Sequence, residues 1–593
     1  MALATVVKAV DIAKERDPAI NKMIEMMENQ KPSNKRVFQR LPKHLRRRAM
    51  SYDIRKVPRA MRPSVQGQVE SALEAKLRNK PKGRDHQKYR YHGTNQAVHR
   101  NEKHRWLETH LWHAKRFHMV DLWDWKIPLA PTMKQTRNFI RMTAESCTIR
   151  DISYTTIISL KGTHENLINV LTKFMKPNSR IEPSLHIMFG AEFYQPNGYP
   201  IGPVQLFWIS DSHLWIISHP TLKSELGSSL HDGSYELEII DGKINIFEVC
   251  GPLSTKVIRQ SLQPSGETPE AIQQILYGIP HPSAVPPGFS ISYTASDPRT
   301  FPDHLEDKTV PLFDFQNIPS NICESRLFSD RLFDCPDENE FNKERAKLLF
   351  PMAEGPSGSI PILLMQRYST SPTGFGASWL VFSPFGCGSI IFKKFVKQGA
   401  RVFGLEGSRK IDLEAGRFNF PNDRPDTNVG LQLMTKEMLE MTAANDSKPK
   451  GKRIALNFYQ FPDQFRISCE SGENSYLKVS IVMAKRGTPS RFSNIYLPDI
   501  SDYQFVDKVA EIKGERKPIG MVLNGNSSLL AGEGRGIGII ETDAFLILLP
   551  KIEAEANFQF NHRPKQSLLA LVKEQGSQFY HLAWISPHSS NFY

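Results

Sequence analysis

Apolar residues near the N-terminus recur at helical spacing: Val6, Ala9 and Ile12, then Ile20, Met23, Ile24 and Met27. Such positions share one side of a 3.6-residue turn, so residues 1–30 are expected to hold an amphipathic helix. Pro18 lacks an amide hydrogen and is expected to break or restart it. From Lys31 to Pro63 the periodicity disappears. The stretch KPSNKRVFQRLPKHLRRRAMSYDIRKVPRAMRP carries Pro32, Pro42, Pro58 and Pro63, which push their neighbours towards extended geometry. With so few apolar residues it cannot offset the entropy of ordering alone, and it is expected to order only on a partner. A short helix is expected within 65–80, followed by another basic, polar and aromatic stretch over 80–100. Lys103–Asp124 is expected to be helical, dense in Trp106, Trp112, Phe117 and Trp123, with Trp125 directly after it.

Beyond about residue 145 the pattern shortens to β-type runs: TTIISLKG, LHIMFGAEFY, VQLFWIS, HLWIISHP and INIFEVCGPL. Helical patterns such as HENLINVLTKFM and AIQQILYG fall between them, as in mixed α/β proteins. Residues 298–345 read as loop-rich, and globular patterning resumes at IPILLMQRY and SWLVFSPFGCGSIIFKKFVKQGARVFG. AANDSKPKGKR (443–453) reads as a solvated linker, and KVSIVMAKRG, KPIGMVLNG and GRGIGIIETDAFLILLP as further strands. The expected organisation is an N-terminal helix over 1–30, a basic arm over 31–141 and the first part of an α/β body over 142–345. A second globular segment over 346–442 and a β-rich C-terminal domain over 454–593 complete an α+β chain. No internal repeat is visible.

Composition supports real cores, since 40% of the residues are hydrophobic. No run of about 18 apolar residues occurs, so no membrane contact is expected. The first residues have neither a basic n-region nor a cleavage site, so a helix is expected there rather than a secretory signal. The six cysteines are far apart and none forms a C-x-x-C pair, which points to free thiols rather than a zinc ribbon or a disulfide framework.

Charge changes the picture more. Residues 1–141 hold 32 Lys+Arg against 13 Asp+Glu, an excess of +19, whereas 142–593 hold 44 against 49, a balance of −5. A mildly acidic body with a strongly basic arm points to a polyanionic partner. Within the arm, Arg36, Arg40, Lys43, Arg46, Arg47, Arg48, Arg55, Lys56, Arg59 and Arg62 form clusters on extended chain. Guanidinium forks fit phosphate oxygens and stack on bases, so these are candidate RNA contacts, and a nuclear-import role can coexist.

In WLETHLWHAKRFHM (106–119) and at Arg105 just before it, the candidate RNA contacts are Arg105, His110, Trp112, His113, Lys115, Arg116 and His118. Three histidines also raise metal binding, but no cysteine lies near and no fixed ligand spacing appears, so no metal site is expected. Trp106 and Trp112 have a second reading as core anchors. The glycines of AGEGRGIGII are not spaced as a dinucleotide fingerprint and lead into β-branched residues, so a hairpin or bulge is expected. Asp423 and Asp426 in FPNDRPDT could serve acid–base chemistry; two prolines in eight residues favour a rigid loop. No P-loop, H-E-x-x-H or G-x-S-x-G occurs, and no catalytic residues are expected.

LRRRAM followed by ETHLWHAKRFHM resembles the N-terminal signature of a known family, the large "processing of precursor" protein subunit of eukaryotic ribonuclease P and RNase MRP. GPLS (251–254), DPR (297–299), IPILLMQR (360–367), SPFGCG (383–388), GARVFGLE (399–406), FPNDRPDT (420–427), KRGTPSRFSNIYLP (485–498) and PIGMVLNG…GRGIGII (518–540) look like further landmarks. The resemblance runs from about residue 35 to the C-terminus. Cys387 stands where an aromatic or another residue is expected, and the chain is short for the family.

That resemblance implies a non-catalytic, RNA-binding scaffold in a ribonucleoprotein that removes tRNA 5′ leaders and processes rRNA precursors. It implies as partners ribonuclease P RNA, RNase MRP RNA or both, other protein subunits and, indirectly, precursor tRNA. Mg²⁺ would sit on the partner RNA and no cofactor on the protein. Location would be the nucleus and nucleolus. The body is expected to resemble the glycine-cleavage T-protein (aminomethyltransferase) fold without its folate chemistry. The alternatives are another nucleolar RNA-binding assembly factor and a folate-dependent one-carbon transferase.

Overall fold

The computed structural model describes residues 9–28, 54, 59–63, 65–67, 70, 105–176, 187–231, 233–301, 318–319, 321–328, 359–369, 371, 373–462, 465–467, 475–485, 487–506, 512–548 and 567–588. The chain divides into two units, Met1–Gly93 and Thr94–Tyr593.

In the first unit, α1 (Ala9–Glu28) carries Ile20, Met23, Ile24 and Met27 exposed along one side. Pro18 lies inside this helix rather than ending it. One missing N–H removes one hydrogen bond, and helix-forming residues on both sides carry the run across. Further on, Arg59–Met61 forms a single 3₁₀ turn.

The second unit contains two large mixed layers and a barrel. One sheet has six strands in the order Ser290–Ala295, Ile360–Arg367, Ser378–Pro384, Ile244–Cys250, Thr148–Asp151, Arg401–Val402. All its pairings are antiparallel except the last. It therefore draws strands from both of the segments read separately as 142–345 and 346–442. A five-stranded antiparallel sheet runs Phe189–Tyr194, Pro200–Ser210, His213–Ser218, Thr156–Lys161, Glu236–Ile239. The central strand Ile244–Cys250 is buried at every position, with Phe247 packed on Phe392 and Phe395 of the helix Gly388–Lys397.

The C-terminal sheet closes on itself. Its order ends at His581–Pro587, and that strand also pairs with Ser475–Met483 near the other end. Closure removes exposed strand edges. The GRGIGII glycines lie in its strand Gly534–Glu541, as the β-branched residues indicated, opposite a bulge between Val522 and Asn524. A side chain on Gly538 would press on Met521 O at 2.8 Å and on Ile481, so the narrow barrel wall needs glycine there. The expected linker is shorter than the sequence indicated, because the helix Asn428–Asp446 extends into 443–446.

The largest difference concerns residues 105–131. In place of a long helix the chain makes β1 (Arg105–Trp106), the five-residue helix α2 (His110–Ala114), β2 (Phe117–Leu122) and β3 (Trp125–Pro131). Trp123 and Asp124 take φ of 55° and 64°, the mirror-image turn that suits a tight hairpin. Leu107, Phe117, Trp125 and Ile127 are buried in the same cluster as Ile149, Phe247 and Phe392. The end of the expected arm is thus part of the body.

Candidate nucleic-acid interface and the junctions that hold it

The segment Arg105–Pro131 is tied to the body through Glu108. This side chain is 3% exposed. Its carboxylate accepts the backbone N–H of Gly386 and of Gly388, each at 2.8 Å, and Asn245 Nδ2 at 2.9 Å. Gly388 opens the helix Gly388–Lys397, so the negative charge also sits where the helix dipole favours it. A Cβ on Gly388 would meet the Asn245 amide at 2.7 Å, which explains the small residue. Cys387, the departure from the expected landmark, is buried, and desolvation pushes its thiol up to about 12. It fills core space between the two glycines that grip Glu108. Next to Glu108, the Thr109 hydroxyl donates to Asp151.

The two histidines do not face solvent. His113 is fully buried, its Nδ1 lies 3.0 Å from Thr109 O, and its ring packs against Trp112, Phe117 and Phe392. Burial lowers its pKa to about 3. His110 stacks on Trp106 with centroids 4.1 Å apart, and burial lowers it to about 4. Both are neutral at pH 7 and covered, so the expectation that they contact RNA is corrected: they anchor the hairpin. Trp112 is half-buried and packs its edge on Phe392 at 5.2 Å, while the Arg116 guanidinium lies over its ring at 4.4 Å. It takes the core-anchor reading rather than that of an open stacking platform. Trp106, 8% exposed, does the same.

Of the predicted contacts in this segment, Lys115, Arg116 and His118 are exposed, as are Ala114, Asp121 and Asp124. The Arg116 Nη1 donates to Trp112 O at 3.0 Å, which fixes the guanidinium on the surface. Arg105 is half-buried, 3.6 Å from Asp241 and over the Trp125 ring at 5.8 Å. Of the arm residues, Arg59 is exposed and Arg62 half-buried, whereas Arg36, Arg40, Lys43, Arg46, Arg47, Arg48, Arg55 and Lys56 lie outside the described residues.

A second junction forms at FPNDRPDT, where the loop reading holds. Arg424 is 2% exposed and pairs with Asp426 at 2.7 Å and with Glu192 of the five-stranded sheet. Asp423 accepts Asn419 N–H at 3.0 Å, Asn524 Nδ2 at 3.2 Å and Arg491 Nη1 at 3.3 Å. Arg491 also donates to Asn422 O at 3.0 Å and to Glu437 at 2.9 Å. Three separate landmarks, FPNDRPDT, the KRGTPSRF arginine and the MVLNG asparagine, therefore meet and bolt the barrel to the body. Burial raises the Asp423 pKa, while the Arg424 guanidinium keeps Asp426 low despite its burial. Both carboxylates are engaged in this network rather than facing an open cleft.

Inside the body Glu248 accepts Arg150 at 2.5 Å, Arg367 at 2.8 Å and Ser378 at 3.2 Å. The two guanidinium groups hold its carboxyl far below the usual range against the cost of burial. A cavity of about 140 Å³ borders this network, walled by Trp123, Tyr154, His219 and Phe420. Among the described residues no group of three or more His, Cys, Asp or Glu is arranged to hold a metal ion, and no helix is long and apolar enough to cross a membrane.

Comparison with known proteins bears on the same segments. The family model described as "Ribonucleases P/MRP protein subunit POP1, N-terminal" matches residues 13–98 and 75–163, the "POPLD (NUC188) domain" matches 378–469, and the "POP1 C-terminal domain" matches 506–588. Ribonucleases P/MRP protein subunit POP1 of Homo sapiens is 26% identical, across 75% of this chain and 58% of its own length. Ribonucleases P/MRP protein subunit popl-1 of Caenorhabditis elegans is 25% identical, across 72% of this chain and 60% of its own. The chain thus spans less than two thirds of the length of either relative. Among solved structures, the glycine cleavage system aminomethyltransferase T from Bartonella henselae is similar at a TM-score of 0.45 with 10% identity, covering 82% of this chain and 98% of that one. The three family models between them match more than half of the residues and include ETHLWHAKRFHM, SPFGCG, FPNDRPDT and the MVLNG asparagine, and the chain belongs to the family they describe, that of the Ribonucleases P/MRP protein subunit POP1.

Proposed function

We propose that this chain is an RNA-binding scaffold subunit of the ribonuclease P and RNase MRP ribonucleoproteins. It would hold the RNA subunit's fold and bridge neighbouring protein subunits, in the nucleus and nucleolus. Hydrolysis in tRNA 5′-leader removal and rRNA precursor processing would belong to the RNA and its own Mg²⁺. The observation that carries the reading is the +19 charge excess of residues 1–141 against −5 for the rest. The basic stretch leads directly into a hairpin fastened to the core by Glu108, so bound RNA is mechanically coupled to the body. Lys115 and Arg116 extend the cationic surface onto the segment that leads into that hairpin, where the His118 ring is exposed beside them.

The test is the affinity of the full chain for ribonuclease P RNA as salt rises from 50 to 200 mM. Six to ten phosphate contacts predict a fall of about 10³–10⁵. A flat response overturns the reading. Sequencing of the RNA that co-purifies with the chain decides between this assignment and another RNA-binding assembly factor: ribonuclease P and MRP RNAs dominate in the first case.

A further inference from the structure

A pocket of about 350 Å³ lies where the basic stretch enters the body. That volume is within the range of small-ligand sites, roughly 300–1,000 Å³. Arg105 of β1 is on its wall, together with both tryptophans of the β2–β3 turn, Trp123 and Trp125. Trp125 is buried, but Trp123 is half-exposed, braced from behind by the edge of His219 at 4.3 Å and by Tyr154 at 5.6 Å. The turn's left-handed backbone at Trp123 and Asp124 is what places an indole at this mouth.

The pocket's charges balance. Arg105 and Lys223 both reach the Asp241 carboxylate, and Asp124 stands at the rim. Two cations against two carboxylates do not make a phosphate trap. An aromatic wall with polar groups and no net charge suits a base instead. One further group has no structural employment. Thr156 is 1% exposed and lines the pocket, and its hydroxyl has no hydrogen-bond partner. Buried hydroxyls are ordinarily satisfied, so this one points to an absent ligand.

We propose that this pocket seats one unpaired nucleotide of the bound RNA, its base stacked on Trp123 and a polar edge bonded to the Thr156 hydroxyl. The inference rests on the RNA-binding reading above and adds a subsite to it: phosphates are held by the basic arm, and a single splayed base is held here. It fixes the RNA strand's register where the arm ends and the body begins.

The experiment uses the full chain and a short single-stranded RNA carrying 5-iodouridine. Irradiation followed by trypsin and mass spectrometry should place the crosslink on the peptide Phe117–Lys126, at Trp123. Thr156→Val removes a hydroxyl that the protein itself does not use, so it should leave the melting temperature unchanged or raised. It should weaken RNA binding at least threefold. Salt-sensitive binding with crosslinks elsewhere, or with unchanged affinity in Thr156→Val, overturns the pocket and leaves the RNA-binding reading standing. Absence of salt-sensitive binding overturns both.

Discussion

Replacing Glu108 tests the anchor of the hairpin directly. Its carboxylate serves three buried donors: the N–H groups of Gly386 and Gly388 and the Asn245 amide. Each donor stranded by Glu108→Ala costs about 1–3 kcal/mol. Some relaxation and water entry into the vacated space offset part of the sum, so about 3–5 kcal/mol of destabilisation is expected, as for other broken buried charge sites. Glu108→Gln separates the contributions. One oxygen still serves Gly386 and Asn245, which share Oε1 in the native chain, while an NH₂ now faces the Gly388 N–H. The expected loss is about 1–3 kcal/mol and is confined to Gly388. Amide hydrogen exchange reads this locally, which suits a chain of several packed units. Each 1.4 kcal/mol is a factor of ten, so Gly388 should exchange at least several-fold faster in Glu108→Gln with Gly386 little changed. In Glu108→Ala both should lose protection, along with the amides of β2 and β3. Unchanged exchange at Gly388 in both variants would refute the anchoring role.

Arg424→Met should destabilise by about 3–5 kcal/mol in urea denaturation, because the buried Asp426 carboxylate and the half-buried Glu192 both lose their guanidinium partner. Gly430→Ala should lose about 1–3 kcal/mol in the same assay, since its Cβ would lie 1.9 Å from Arg424 O; a stabilisation, as helix propensity alone predicts, would contradict the crowding. His110 and His113 titrate in the folded chain near 4 and 3, below their unfolded value of about 6.5. Their contribution is therefore fully present above pH 6.5 and is lost as pH falls from there towards 4 and then 3. Thermal melts across that window should show the loss, and His113→Phe should flatten it. Lys115→Glu with Arg116→Glu should weaken RNA binding and reduce its salt slope by roughly two phosphates' worth while the melting temperature holds; an unchanged slope would remove these residues from the interface.

Much of the body was legible because its strands are continuous apolar runs bounded by turns. The reading of GRGIGII as strand and of FPNDRPDT as a rigid loop rested on β-branched residues and on proline, both local signals. The hairpin was not legible for a physical reason. Aromatic density over 106–125 mimics a helical face, and the turn that breaks it uses left-handed Trp123 and Asp124 rather than glycine or asparagine. The weak alternation around Phe117 and Met119 was the available cue. Burial of His110 and His113 was equally hidden, because a histidine beside arginines reads as a cation until its neighbours are known. The sequence offered Glu108 only as an unremarkable carboxylate beside the histidines, not as an anchor: its glycine partners lie 278 and 280 residues away, and no local pattern announces a contact of that separation.

These misses share a direction. The most recognisable strings in the chain, ETHLWHAKRF, SPFGCG, FPNDRPDT and the KRGTPSRF arginine, turned out to be halves of two junctions rather than surface motifs. Each half carries unusual residue types because it must satisfy a buried charge or a crowded backbone in a partner distant in sequence. Glu108 requires two closely spaced amides that only a tight glycine loop presents, and Arg424 requires one carboxylate from its own loop and one from the five-stranded sheet. The surface that meets RNA is held to weaker demands, since exposed cations need only reach phosphate. Motif strength therefore marks where the scaffold is fastened, and net charge marks where it works. The segment Arg105–Pro131 is the element that belongs to both, with Glu108 and His113 on its inner side and Arg116, His118 and Trp123 on its outer side. A substitution there should change RNA affinity and body stability together when it points inward, and affinity alone when it points outward.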